Sequence, residues 1–337
     1  MRQIQYKDII GLEMTYLIKR VLTVFVLTAA LITALVTGVL FLPPQFEDSY
    51  SYCMQRKFRQ LAGRNEPAIV IVGDSGAAFG IDNELLSELC GYPVVNLGLQ
   101  GSMGTKMLVN MVLENSVPGD IVVYAANDAN WVEPEKGTER SRVAEVIEIA
   151  LDGWPEGYRY MALDAWGECV TAFPAYACKK FDNFFAGENR APATGAYAIT
   201  SFDETGNMIL ERKEWTLPET FDESWICSLE RDKISEVCIE QVNAFGEALE
   251  KREAFFVVSY GPMLDTCIES TDLDAFEQGL SERLEFDVIS GIEDYIYPID
   301  LMYNSPLHCN ERGSEMRTRS LAADINAWRE RSFSDEF

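Results

Sequence analysis

From Val21 to Leu42 the chain runs 22 residues without a charge, rich in Val, Leu, Ala and Phe. A helix of that length spans the roughly 30 Å hydrocarbon core of a bilayer. Pro43 and Pro44 stop it. Core helices of soluble domains are rarely charge-free over such a stretch. The run also exceeds the apolar part of a secretory signal, and no small-x-small cleavage pattern follows it directly. The sequence therefore predicts an uncleaved anchor. Arg2, Lys7, Lys19 and Arg20 precede it against Asp8 and Glu13, whereas Glu47 and Asp48 follow. Positive-inside logic puts residues 1–20 in the cytoplasm, the transmembrane anchor at 21–42, a juxtamembrane helical linker at 43–65 and an extracytoplasmic domain over 66–337. The expected location is the cell membrane, single-pass, with the main domain outside the cytoplasm.

The chain carries a formal charge of −26, and residues 1–42 contribute +2, so the rest carries −28. A surface of that sign repels polyanions and argues against nucleic acid as a partner. Eight cysteines lie beyond the anchor, at spacings that match no zinc pattern, and the chain has one histidine. No metal or cofactor is expected. Cys169 with Cys178, and Cys227 with Cys238, are close enough in sequence for local bridges, which spacing alone does not decide. Cys90 reads as a buried helix residue.

Past the anchor a regular alternation begins. Ala68 to Val72 (AIVIV) is a continuous apolar run between Pro67 and Gly73, the pattern of a strand buried on both faces. Asp82 caps a helix carrying Leu85, Leu86 and Leu89, and Gly91 suits its end. Pro93 to Leu97 is a second strand, Ser102 caps a helix to about Glu114, and Asp120 to Ala125 is a third strand. Strand, helix, strand, helix, strand predicts an α/β fold with a parallel sheet. Between about 130 and 229 the rhythm breaks into an irregular insertion dense in Trp, Gly and Pro, with a hairpin turning at Thr205-Gly206-Asn207. A helix over about 230–250, the strand Ala254 to Tyr260, a helix near 274–283, a weaker strand at Phe286 to Ser290 and a closing helix over about 311–329 follow. Trp131, Trp154 and Trp166 of the insertion read as core aromatics or as a sugar platform.

In an open parallel sheet, sites form at the carboxyl ends of the strands. There the sequence places Gly73-Asp74-Ser75-Gly76, then Asn96-Leu97-Gly98-Leu99-Gln100-Gly101, then Ala125-Ala126-Asn127-Asp128, and, before the closing helix, Asn304-Ser305-Pro306-Leu307-His308. A serine needs a base to become a nucleophile near neutral pH, and imidazole is the usual one. His308 is the sole candidate. No phosphate-loop or dinucleotide fingerprint is present; Gly98 to Gly104 reads GLQGSMG. That argues, with the acidic surface, against a flavodoxin-like nucleotide binder.

These four blocks, in this order, resemble those of the SGNH (GDSL-type) hydrolase superfamily. The resemblance covers residues 66 to 130 and about 300 to 325. It implies a three-layer αβα domain with a parallel, flavodoxin-like sheet, Ser75 as nucleophile and His308 as base. The backbone N–H groups of Ser75 and Gly101 and the side chain of Asn127 would form the oxyanion hole. The asparagine five residues before the superfamily's oxyanion glycine selects Gly101 over Gly98, through Asn96. Two positions depart from the pattern: alanine replaces the glycine of the third block, and Ser305 stands where an aspartate precedes the histidine. Three readings of the missing acid stay open. Asn304 orients His308 through a neutral hydrogen bond, Asp300 or Asp128 supplies a carboxylate, or turnover is lost and a binding pocket remains.

An amino-terminal anchor followed by such a domain is similar to the layout of membrane-anchored DltD-like and bacterial polysaccharide O-acetylation proteins. The resemblance implies a serine esterase or O-acyltransferase acting on a small acyl ester of a cell-envelope polymer or acylated glycan, partnered by a multi-spanning membrane acyltransferase. The competing expectation is a catalytically degenerate envelope-binding or scaffold protein.

Overall fold

A computed structural model of the chain describes residues 2–127, 129–132, 140–187, 193–217 and 226–334. The apolar run lies in a longer helix, α1 (Arg2–Leu40), that also takes in the charged segment before it. Within α1, Glu13–Leu40 is long and apolar enough to cross a membrane. A 3-10 turn at Tyr50–Cys53 then leads into α2 (Met54–Ala62). Residues 43–65, expected as a linker, thus belong to the core: Cys53, Met54 and Leu61 are fully buried. Lys57 is buried beside them, and its ammonium donates to the carbonyls of Asn96 (2.8 Å) and Gly206 (2.7 Å).

The expected alternation follows: β1 (Ile69–Gly73), α3 (Ser75–Gly80), α4 (Asn83–Cys90), β2 (Val94–Asn96), α5 (Thr105–Asn115) and β3 (Ile121–Ala125). Both ends of α4 are as read. Asp82 accepts from the N–H groups of Glu84 and Leu85, and Gly91 closes the helix at φ 68°, in the left-handed region open to glycine. Ser102 is not the cap of α5. Gly101–Met103 is a 3-10 turn, and α5 begins after Gly104, whose φ of 73° likewise suits glycine.

The insertion is largely helical rather than irregular. It contains α6 (Ala129–Val132), α7 (Arg140–Ala150), a 3-10 turn at Pro155–Tyr160 and the 24-residue α8 (Leu163–Ala186). The Thr205–Asn207 turn exists, with Asp203 N–H bonded to the Asn207 carbonyl at 3.0 Å, but one bridge, Phe202 to Met208, is all the ladder it carries. Beyond lie β4 (Cys227–Ser228), α9 (Glu236–Glu250), β5 (Phe255–Val258), β6 (Met263–Leu264), β7 (Ile268–Glu269), α10 (Leu273–Ser281), β8 (Ile296–Tyr297) and α11 (Glu311–Ser332).

The main sheet is parallel, in the order β2-β1-β3-β5. The expected strand Phe286–Ser290 reduces to one parallel bridge at its edge, Val288 to Val258. β4 pairs with β7, and β6 with β8, in two small parallel ladders. Because side chains alternate along a strand, one set (Val70, Val72, Val122, Tyr124, Val258) packs with Met107 and Met111 of α5 and Phe245 of α9. The other (Ile69, Ile71, Ile121, Val123, Val257) packs with Leu86 of α4 and Leu321 and Ile325 of α11. A one-residue slip would exchange the two sets, so the register is fixed by the apolar pattern itself. At the far end of the sheet Asp120, fully buried, takes both arms of Arg64 (2.6 and 2.9 Å) and the N–H of Ala68 (2.8 Å).

No disulfide joins any of the eight cysteines. Cys169 and Cys178 share α8 nine residues apart, a rise of about 13 Å that no disulfide spans. Trp131 is fully buried and Trp154 packs at a tilt on Phe58, centroids 4.6 Å apart, so both serve the core; Trp166 is exposed on α8.

Candidate functional site

Asp74 assembles the first and third blocks. Its carboxylate accepts from Gly76 N–H (2.7 Å), capping α3, and from Asn127 N–H (3.1 Å) across the strand ends. Burial raises its pKa, and those two backbone donors and the Arg317 guanidinium oppose the rise. Ser75 is the first residue of α3 and is half-buried. Arg317, fully buried on α11, holds this turn by donating to the Gly76 carbonyl at 2.7 Å and the Tyr260 carbonyl at 3.1 Å.

The second block is held against α3. Asn96 donates to the Ala77 carbonyl (3.0 Å) and accepts from Gly98 N–H (2.9 Å). Gly98 is the close-approach residue: a Cβ there would stand 2.5 Å from Ala77 Cβ and 2.8 Å from the Asp74 carbonyl oxygen. Gly101, three residues on, opens the 3-10 turn of the same loop and is half-buried. Tyr50 donates to the Leu99 carbonyl at 2.9 Å, so the chain leaving the anchor also braces this loop.

The fourth block closes on the first. A Cβ on Gly76 would meet Pro262 at 3.0 Å and the Leu307 carbonyl oxygen at 3.4 Å, which sets the loop before His308 directly against the turn that carries Ser75. The His308 ring stacks on Phe79, centroids 4.0 Å apart and planes within 5°. Phe79 follows Ser75 by four residues on α3, so the two side chains share a helix face. His308 thus packs on the helix that Ser75 begins, and among the described residues no hydrogen bond joins the two.

His308 Nδ1 lies 2.7 Å from Asn304 Oδ1. The amide oxygen can only accept, so Nδ1 carries the hydrogen in this pair and Nε2 keeps its lone pair. Asp300 does not meet the ring. Its carboxylate is exposed and pairs with Arg312 at 3.6 Å, while its carbonyl accepts from Asn310 at 2.8 Å. Asp128, the other carboxylate considered, lies outside the described residues. Among the described residues, Asn304 is the side chain that meets Nδ1 of His308. Burial, then the nearby Arg212 guanidinium, lowers the His308 pKa to about 3.

Three contributors carry no motif. Arg212 reaches the site from the insertion, 5.8 Å over the Phe79 ring. Tyr197 stands beside Asn304, its hydroxyl 3.4 Å from Nδ2, and edge-on to Tyr50 at 5.4 Å. Phe79 supplies the stacking surface. Only the apolar character of Phe79 within a short helix was a readable sign; the other two come from a segment with no matching block. Among the described residues no group of His, Cys, Asp and Glu is arranged to hold a metal.

The arrangement offers a hydroxyl at a helix start, an oriented neutral imidazole and backbone N–H groups at the ends of parallel strands. No family model matches the chain, and no curated protein sequence does so either.

Proposed function

We propose that the chain is a membrane-anchored serine esterase or O-acyltransferase of SGNH type, acting on a small acyl ester of a cell-envelope polymer. The observation that carries this reading is the Asn304–His308 pair, with the imidazole stacked four residues beyond Ser75 on one helix. The parallel order β2-β1-β3-β5, with helices packed on both strand faces, supports the three-layer flavodoxin-like arrangement of that superfamily. In this reading α1 is a single-pass anchor with its amino terminus in the cytoplasm, and the domain stands outside.

The Ser75 hydroxyl attacks the ester carbonyl carbon and passes its proton to His308 Nε2. The carbonyl oxygen takes the negative charge in a hole formed by Ser75 N–H, Gly101 N–H and the Asn127 amide. His308 then returns the proton to the departing alkoxide, leaving Ser75 acylated. A sugar hydroxyl or water attacks in turn and regenerates the serine. A multi-spanning membrane acyltransferase would supply the acyl donor.

The neutral Asn304 orients the base but cannot balance an imidazolium. Loss of the acid in a serine triad lowers turnover by about 10⁴-fold, so the activity proposed is modest. One observation favours a second reading, a non-catalytic envelope-binding protein using the same cleft: the charged neighbour felt by His308 is the cation Arg212. Incubation of the full chain with p-nitrophenyl acetate, followed by intact-mass analysis, separates the two. The enzyme reading expects an acetyl adduct on Ser75 that is absent in Ser75→Ala. A well-folded chain that gains no adduct favours the binding protein.

A further inference from the structure

α8 buries one side against the domain, through Cys169, Tyr176, Lys180 and Asn183. Beside that side runs a second apolar band that stays largely exposed among the described residues, although Trp166 lies 6.1 Å from Tyr158. Leu163 (91% exposed), Trp166, Val170 (66%), Phe184 and Phe185 (80%) recur at helical spacing along it. The polar residues Glu168, Lys179 and Asp182 fall on the remaining side.

The position of this band is fixed relative to α1. Val39, in the last turn of α1, clusters with Phe46 and Tyr176, and Phe173, Ala177 and Phe181 of α8 flank them. Those three flanking residues lie on the same side of α8 as Trp166, Val170 and Phe185, by the 3.6-residue period. The chain between the two helices is clamped. Asp152 accepts from the N–H groups of Gln45 and Phe46 and from Tyr176, and pairs with the buried Lys180 at 2.6 Å. Pro44 packs against Gly153. The exposed band therefore faces the side from which α1 arrives, held at the level where that helix ends.

We propose that α8 is a second membrane contact, an interfacial helix whose Leu163–Trp166–Val170–Phe185 band lies in the headgroup and acyl boundary of the leaflet from which the domain emerges. The proposal rests on α1 spanning the bilayer. Continuity with that helix selects lipid over another protein as the occupant. So does the band's composition: Trp and Phe rims with an apolar face are what lie in a bilayer interface. Two contacts, one spanning and one lying flat, would hold the domain at a fixed tilt, with the Ser75 cleft at a constant height above the lipid.

Tryptophan quenching in the full chain tests this. The protein is reconstituted in phosphatidylcholine vesicles with and without phosphatidylcholine brominated on carbons near the ester linkage, and the Trp166 signal is taken as the difference between the native chain and Trp166→Phe. Phe25→Trp in the Trp166→Phe background reports on the anchor in vesicles brominated deeper in the acyl chain. The expected result is at least a twofold loss of Trp166 emission in brominated lipid, little quenching by aqueous iodide, and quenching of the Phe25→Trp signal. A quenched anchor reporter with Trp166 open to iodide and untouched by bromine overturns the α8 proposal alone. Trp166 shielded from both quenchers overturns it in favour of a protein cover, such as a second copy. An unquenched anchor reporter removes the spanning helix and the α8 proposal with it.

Discussion

His308 is uncharged in this site for reasons of surroundings rather than of its own chemistry. It is buried against Phe79, beside a cation, and its one ring partner is neutral. With its pKa lowered to about 3 from the ordinary 6.5, the base form persists well below neutral pH. The rate of Ser75 acylation should therefore stay level from pH 8 to pH 5, and a pH–rate profile that halves near 6.5 would contradict it. The same shift has a stability consequence. The unfolded chain takes up the proton first as pH falls below 6.5, so His308 stabilises the fold above that value and the contribution fades toward pH 3. Glu148 acts with the opposite sign. Burial, then Glu145, raises its pKa to about 8, and its Oε1 has no hydrogen-bond partner among the described residues. The fold favours the protonated acid, so ionisation costs stability as pH rises from 4.5 to 8. Glu148→Gln should leave thermal stability unchanged at pH 5 and raise it at pH 8 by about 1–3 kcal/mol, read from melting curves at the two values. At this scale Ser75, Asn304 and His308 were legible because they stand in blocks at strand ends. Arg212 and Tyr197 were not, since tertiary contact alone brings them to the site.

The strands and caps of the sheet were readable because each is a local statement: a continuous apolar run, an aspartate before a helix, a glycine after it. α8 was not. Its apolar residues cover more than one side, and Pro174 stands inside it, so neither the amphipathic period nor the usual absence of proline marked it as a helix. The wide arc has a physical origin if one part meets the domain and another meets lipid. The predicted edge strand at Phe286–Ser290 keeps a single parallel bridge to β5, Val288 to Val258. The clamp between α1 and α8 makes a testable demand. Asp152 and Lys180 are both fully buried and paired, so Asp152→Ala strands a buried ammonium together with two backbone donors. Chemical denaturation should show a loss of about 3–5 kcal/mol; a loss under 1 kcal/mol would mean that the linker is held by packing alone.

For the whole molecule, anchoring and chemistry are coupled by geometry. Tyr50, ten residues past the end of α1, bonds to the loop that carries Gly101, and the next turn, α2, is part of the core. Among the described residues, the segment between α1 and that loop is itself fastened to the domain through Asp152 and Tyr50. In the proposed reading, a catalyst confined beside lipid-linked substrates works at a raised effective concentration, which suits a base oriented by an amide. The proposed chemistry requires Ser75 to be an activated nucleophile, and the rate of its covalent labelling measures that directly. The full-length chain in detergent is treated with a fluorophosphonate, comparing the native sequence, Ser75→Ala and Asn304→Asp. The prediction is slow labelling of the native chain, mapped to Ser75 and lost in Ser75→Ala, and labelling at least tenfold faster in Asn304→Asp, where a carboxylate balances the imidazolium. A folded native chain that takes no label, or a label that persists in Ser75→Ala, would contradict it.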